Sequence, residues 1–317
     1  MNAPIPALFL AVLLIFSTAL HAATVIYEPA NFVLIRGDEF IMGSPVSQVG
    51  RAEVKAFLQK NGIDYSETQH HVRVSSFYMS RYAVTVAEFR RFVEASGYQT
   101  DAEKSGFSVI FSNNGVKKGE GVNWRHGVSG HWWDRWRRWF RLEENHPVLH
   151  VSWNDAQAYC KGVSAQTGKQ FRLPTEAERE YACKAGTTTT FNTGKNLTTD
   201  QANYYGKYTY NNNPKGVYRQ NTVTVSSFAP NAWGLFNMHG NVSEWCSDWF
   251  GGTYYDDCKK SGVVENPAGP ETGSDHVLRG GSWDDNAGYC RTATRDLSSP
   301  DYSDDFIGFR VVFVPDH

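Results

Sequence analysis

The sequence predicts a loop-rich α+β fold in one large domain, and three observations carry that prediction. Glycine (28), tryptophan (10), tyrosine (16) and phenylalanine (19) are numerous among the 317 residues. Long apolar runs are scarce after the N-terminus, which argues against a helical bundle or a doubly wound sheet. Strand-like alternations are short, and only three stretches carry a clear helix signal. Hydrophobic residues make up 41% and charged residues 20%, the profile of a globular chain long enough for a sizeable core. Thirty-one basic and thirty-three acidic side chains leave a formal charge of −2, so nucleic acid is not an expected partner.

At the start, Ala7 to Ala19 is almost wholly apolar, and Leu20-His21-Ala22-Ala23 supplies small residues for cleavage. This predicts a signal peptide over residues 1–23, a domain over 24–317, and export to the periplasm or the medium. The alternative is an uncleaved anchor, for which the run is short. In an oxidising compartment the five cysteines (Cys160, Cys183, Cys246, Cys258 and Cys290) leave at least one unpaired, and none has zinc-site spacing. Cys246 and Cys258 flank Gly251-Gly252, and a disulfide between them is expected.

Along the chain, Asn31 to Ser44 reads as a strand, a turn and a second strand. His71 to Met79 alternates as one half-buried strand. Thr85 followed by Glu88 is a capping box that opens an amphipathic helix over Val86 to Val93. A second helix is expected from Trp153-Asn154-Asp155, and a third after Thr175, with Glu178 closing the box. From Gly186 onward only short strands and turns are expected. In the segment 131–141, Trp132, Trp136, Trp139 and Phe140 fall near helical spacing, with Arg135, Arg137, Arg138 and Arg141 largely between them. The expectation is a helix packed on the domain; the alternative is a face for a membrane surface or an anionic glycan.

Six segments occur in fixed order: Phe40-Ile-Met-Gly-Ser44, His146 to Ala156, Phe171-Arg-Leu-Pro-Thr-Glu-Ala-Glu178, Asn231 to Trp245, Val277-Leu-Arg-Gly-Gly-Ser-Trp283 and Ile307-Gly-Phe-Arg-Val-Val312. Together with Thr100-Asp-Ala-Glu-Lys104 and Asn123-Trp-Arg-His126 they resemble the formylglycine-generating enzyme, or sulfatase-modifying factor, family over nearly the whole mature chain. The resemblance implies that family's loop-rich fold, an elaborated C-type-lectin-like domain.

It also implies a chemistry and a departure from it. Sulfatase-activating members hold Cu(I) with two cysteines just after Gly-Gly-Ser and use dioxygen to convert a substrate cysteine to formylglycine. Soft Cu(I) requires soft thiolates. Here the second position is Cys290, but the first is Asp285, so copper is not expected and the oxidase activity should be altered or absent. Ser282 and Cys290 remain the candidate catalytic residues; the alternative for Cys290 is a small buried core residue. The family's Asn-x-x-Gly-x-x-x-Glu segment binds Ca²⁺, which implies ligands at Asn237, Gly240, Val242 and Glu244. A second calcium site matches only Asn203 and Tyr204. The alternative is that Asn237 and Glu244 tie the loop by hydrogen bonds.

From Asp284 to Phe306 there are six Asp and no Lys, Glu, Gln, Met or Trp. This resembles the variable region of diversity-generating-retroelement target proteins. It makes Asp284, Asp285, Asn286, Tyr289, Asp296, Asp301 and Tyr302 a candidate ligand-contact loop. The expected function is that of an exported family protein acting on, or binding, an exported peptide or small molecule. The alternatives are a ligand-display protein and a genuine sulfatase-activating oxidase.

Overall fold

Four small sheets, none wider than four strands, are tied together by six α-helices among the residues described by the computed structural model, which are 28–112, 115–130, 143–208 and 210–315. In chain order the elements are β1 (Phe32–Ile35), β2 (Glu39–Met42), α1 (Arg51–Lys60), β3 (His70–Arg73), β4 (Phe77–Ser80), α2 (Val86–Ser96), α3 (Asp101–Ser105), β5 (Phe107–Ser112) and β6 (Gly115–Glu120). There follow α4 (Trp153–Thr167), β7 (Phe171–Arg172), α5 (Glu176–Lys184), β8 (Ser243–Trp249), α6 (Tyr254–Lys260), β9 (Val263–Glu265), β10 (His276–Arg279), β11 (Arg295–Ser298), β12 (Ile307–Gly308) and β13 (Val312–Phe313). The first sheet, in the order β1-β4-β13-β7, holds both the first and the last strand of the described residues. The second, β11-β10-β8-β12, carries the residues after Gly-Gly-Ser on one edge. The third is β2-β3-β9, and β5 and β6 form a hairpin. This is the loop-rich α+β class that the sequence predicts.

The helices start where side chains satisfy the first free N–H groups. Thr85 accepts from the Glu88 N–H at 3.2 Å, and the Glu88 carboxylate takes the Thr85 N–H at 2.8 Å. Thr175 and Glu178 close the same box at α5, and Ser152 with Asp155 does so at α4. Two expectations are corrected. His71 to Met79 is not one strand, because Ser75 and Ser76 bond to Asn266 and Gly37, which turns the chain between β3 and β4 into different sheets. The two strands expected between Asn31 and Ser44 form, as β1 and β2, and belong to different sheets. The C-terminal half contains a helix, α6.

The main core gathers Phe89, Phe92, Tyr159, Phe309 and Trp245 between α2, α4 and the second sheet. Buried ion pairs tie α5 to that sheet: Glu176 to Arg295 at 2.6 Å, Glu180 to Arg279, and Glu244 to Arg179 at 2.7 Å. No helix among the described residues is long and apolar enough to cross a membrane. The expected signal peptide and the aromatic-arginine segment 131–141 lie outside the described residues.

Candidate functional site

The turn after β10 is built on two glycines. Gly280 and Gly281 have φ of +103° and +67°, and there is no room for a Cβ on either. One on Gly280 would lie 2.9 Å from Arg179 Nη2, and one on Gly281 would lie 2.8 Å from Cys290 Sγ. Ser282 follows, buried, and both its N–H and its Oγ–H donate to Asp285 Oδ2, at 2.9 and 2.8 Å. The Asp285 carbonyl in turn accepts from the Tyr205 N–H at 2.7 Å.

This arrangement tests the copper site directly. Burial, then the charge of Asp285, push the Cys290 thiol well above its ordinary range. Cys290 is fully buried in a cluster with Tyr204, Tyr210 and Ala287. One buried thiol and a hard carboxylate already bound to Ser282 do not supply the two soft thiolates that Cu(I) takes. Cys290 is therefore a core residue here. Ser282 is a turn residue whose hydroxyl is committed to Asp285.

In front of this turn lies a cleft of ≈ 350 Å³. Five of the seven expected ligand-contact residues line it: Asp284, Asp285, Asn286, Tyr289 and Asp296. The opposite wall is aromatic, from Phe57 of α1 with Tyr205 and Tyr208. Phe57 meets Tyr289 edge-on at 6.2 Å, and Tyr205 packs on Tyr208 at 5.1 Å and Tyr218 at 4.2 Å. The Tyr218 hydroxyl donates to Asp284. Burial raises the Asp284 and Asp285 carboxyls, and burial plus the Asp285 charge pushes Asp296 up to about 7. Among the described residues, no lysine or arginine lines the cleft. It is an acidic pocket with aromatic walls, suited to a positively charged group. The aromatic wall was not anticipated from sequence, although Tyr204-Tyr205-Gly206-Lys207-Tyr208 is dense enough in tyrosine to have signalled it.

Asp301 and Tyr302 do not join this cleft. They border a separate depression with Asp101, Lys104, Phe107 and Ser303. The expected contact loop is thus divided between two surfaces.

The calcium ligands are placed differently from the expectation. Both oxygens of Glu244 accept from guanidinium groups, Oε2 from Arg179 Nε and Arg310 Nε and Oε1 from Arg310 Nη2, each at 2.7 Å. Asn237 donates to the Val225 carbonyl at 2.9 Å, Asn203 donates to the Asn221 carbonyl at 2.8 Å, and each keeps an unpartnered buried Oδ1. Gly240 bridges to Asn203 on the main chain, the Val242 side chain is in the core with Leu149 and Trp283, and the Tyr204 hydroxyl donates to the Leu197 carbonyl. Two neutral amide oxygens remain, but the one carboxylate of the set is already neutralised by two cations. Calcium, which takes six to eight oxygens and needs anionic charge, does not fit these residues.

The expected Cys246–Cys258 disulfide is also corrected. All five cysteines are buried free thiols. Cys246 sits in the middle of β8 near Glu176, Arg279 and Arg179, whereas Cys258 is on α6 beside Tyr254. The Gly-Gly step serves the entry to α6 and does not fold one thiol onto the other.

The residues that follow the Gly-Gly-Ser turn thus line a cleft in a loop-rich α+β fold. The sulfatase-modifying factor enzyme 1-like domain family matches residues 18–314, and the chain belongs to it. It is 38% identical over 296 residues to the formylglycine-generating enzyme of Streptomyces coelicolor, covering 88% of this chain and 87% of that protein. It is also 31% identical to the mouse protein called inactive C-alpha-formylglycine-generating enzyme 2, covering 89% and 85%. Among solved structures, PvdO from Pseudomonas aeruginosa superposes with a TM-score of 0.65 at 26% identity, covering 90% of this chain and 94% of that one.

Proposed function

We propose that this chain is an exported member of the family that lacks the two-thiolate oxidase chemistry and binds a positively charged peptide or small molecule in the cleft at Asp284–Asp296. The observation that carries this reading is the Ser282–Asp285 bond, which puts a committed carboxylate where the oxidases have their first thiolate. The acidic, aromatic lining supports a cationic ligand, because a cation gains both from the carboxylates and from the ring faces. A relative named as inactive, at 31% identity beside 38% for one named as the formylglycine-generating enzyme, is consistent with loss of chemistry on a retained fold.

The test pairs chemistry with binding. A Cys-x-Pro-x-Arg peptide incubated with the protein, Cu(I) and dioxygen should keep its mass, and a shift to the aldehyde would refute the reading. Calorimetric titration should detect a lysine-rich peptide and lose it, by about tenfold or more, when the lysines are acetylated or Asp284 and Asp296 are both changed to Asn. Equal affinity for both peptides would remove the cationic ligand.

A further inference from the structure

The loop to which the family resemblance assigns calcium is held by cations of the chain's own. Arg179, on the first turns of α5, donates through Nε to Glu244 and through Nη2 to the Met238 carbonyl at 3.0 Å. Arg310, between β12 and β13, grips the same carboxylate and donates through Nη2 to the Phe236 carbonyl at 3.0 Å. Guanidinium groups therefore bind a carboxylate and the two backbone carbonyls on either side of Asn237. These are the oxygen types that a divalent ion would gather. Arg179, Glu244 and Arg310 are 2%, 1% and 0% exposed, so the group is shielded from solvent and carries a net positive charge. A divalent ion added beside it would be repelled at short range in a low-dielectric setting. The two arginines are not equivalent. Arg310 also donates to the carbonyls of Ser80 and Arg81, so it ties β4 into the fold, whereas among the described residues the Arg179 guanidinium donates to Glu244 and to the Met238 carbonyl of the loop.

We propose that Arg179 is a built-in substitute for the divalent cation: it organises residues 236–244 without metal and makes the loop indifferent to calcium. This inference is independent of what occupies the cleft.

Thermal melting of the wild-type chain, Arg179→Met and Arg179→Met/Asn237→Ala should be measured in EDTA, in CaCl₂ and in MgCl₂. The wild type should melt at one temperature in all three. Arg179→Met should melt lower in EDTA and regain several degrees with calcium but little with magnesium, and Asn237→Ala should abolish that gain. A wild type destabilised by EDTA and restored by calcium would overturn the proposal. So would an Arg179→Met variant that calcium leaves unchanged, since Arg179 would then occupy no cation position. If Arg179→Met does not fold, elemental analysis of wild-type protein purified in calcium decides the matter: no bound calcium is expected, and one equivalent per chain would overturn it.

Discussion

Asp285 turns its carboxylate back onto its own loop, where one oxygen, Oδ2, accepts from both the N–H and the hydroxyl of Ser282, at 2.9 and 2.8 Å. The residue that the family resemblance puts at the first thiolate position is thus an internal tie of the turn. Asp285→Ala would leave two buried donors of Ser282 without their acceptor. It is expected to cost about 1–3 kcal/mol in chemical denaturation, and Asp285→Asn, which keeps a carbonyl oxygen, less. An Asp285→Ala protein as stable as the wild type would mean that the turn does not depend on this bond.

Asp296 gives a pH prediction whose sign is fixed. Its folded pKa stands at about 7, raised by burial and by Asp285, above the ordinary value of about 4 in an unfolded chain. The folded state therefore binds this proton more tightly, and the group weakens the fold as pH rises from about 4 through about 7. Asp296→Asn should raise the melting temperature at pH 8 by several degrees and leave it nearly unchanged at pH 4. The difference between the two melting curves isolates this one carboxyl, and a difference that does not vary with pH would contradict its assignment.

Glu67 and Arg291 form a fully buried pair, both 0% exposed, with two hydrogen bonds at 2.7 and 2.8 Å. Tyr65 and Ser44 donate to the same carboxylate at 2.5 Å each. Burial opposes ionisation of Glu67, but the Arg291 bonds prevail and hold it below the ordinary carboxylate range. Its contribution is present above pH of about 4.5 and is lost as pH falls through the lower folded value. Arg291→Met, which leaves a buried uncompensated charge, should cost about 3–5 kcal/mol at pH 7. The double variant Glu67→Leu/Arg291→Met should recover much of that loss. Additive losses in the two single variants and the double variant would show that the pair does not act as a unit.

What was legible in the sequence is what depends on near neighbours. The starts of α2 and α5 follow from Thr85 with Glu88 and Thr175 with Glu178, three residues apart, and the ordered motifs fix the family. What was not legible depends on partners far away in the chain. The break between β3 and β4 is set by Asn266, some two hundred residues beyond Ser75. The fate of Glu244 is set by Arg179 and Arg310, neither of which has a local pattern that points to it. The Cys246–Cys258 pairing failed for the same reason: a short sequence separation says nothing about which way a strand residue and a helix residue face. The candidate cleft was half legible, with its acidic loop readable after the Gly-Gly-Ser turn and its aromatic wall brought in by α1 and the 205–208 turn.

The most direct measurement is a Cu(I) titration under anaerobic conditions against a chromophoric Cu(I) chelator, comparing wild type, Cys290→Ser and Asp285→Cys. The wild type should take no more copper from the chelator than Cys290→Ser does, and Asp285→Cys should gain one equivalent, because it restores the second soft ligand beside Cys290. A wild-type chain that binds one equivalent, and loses it in Cys290→Ser, would contradict the account.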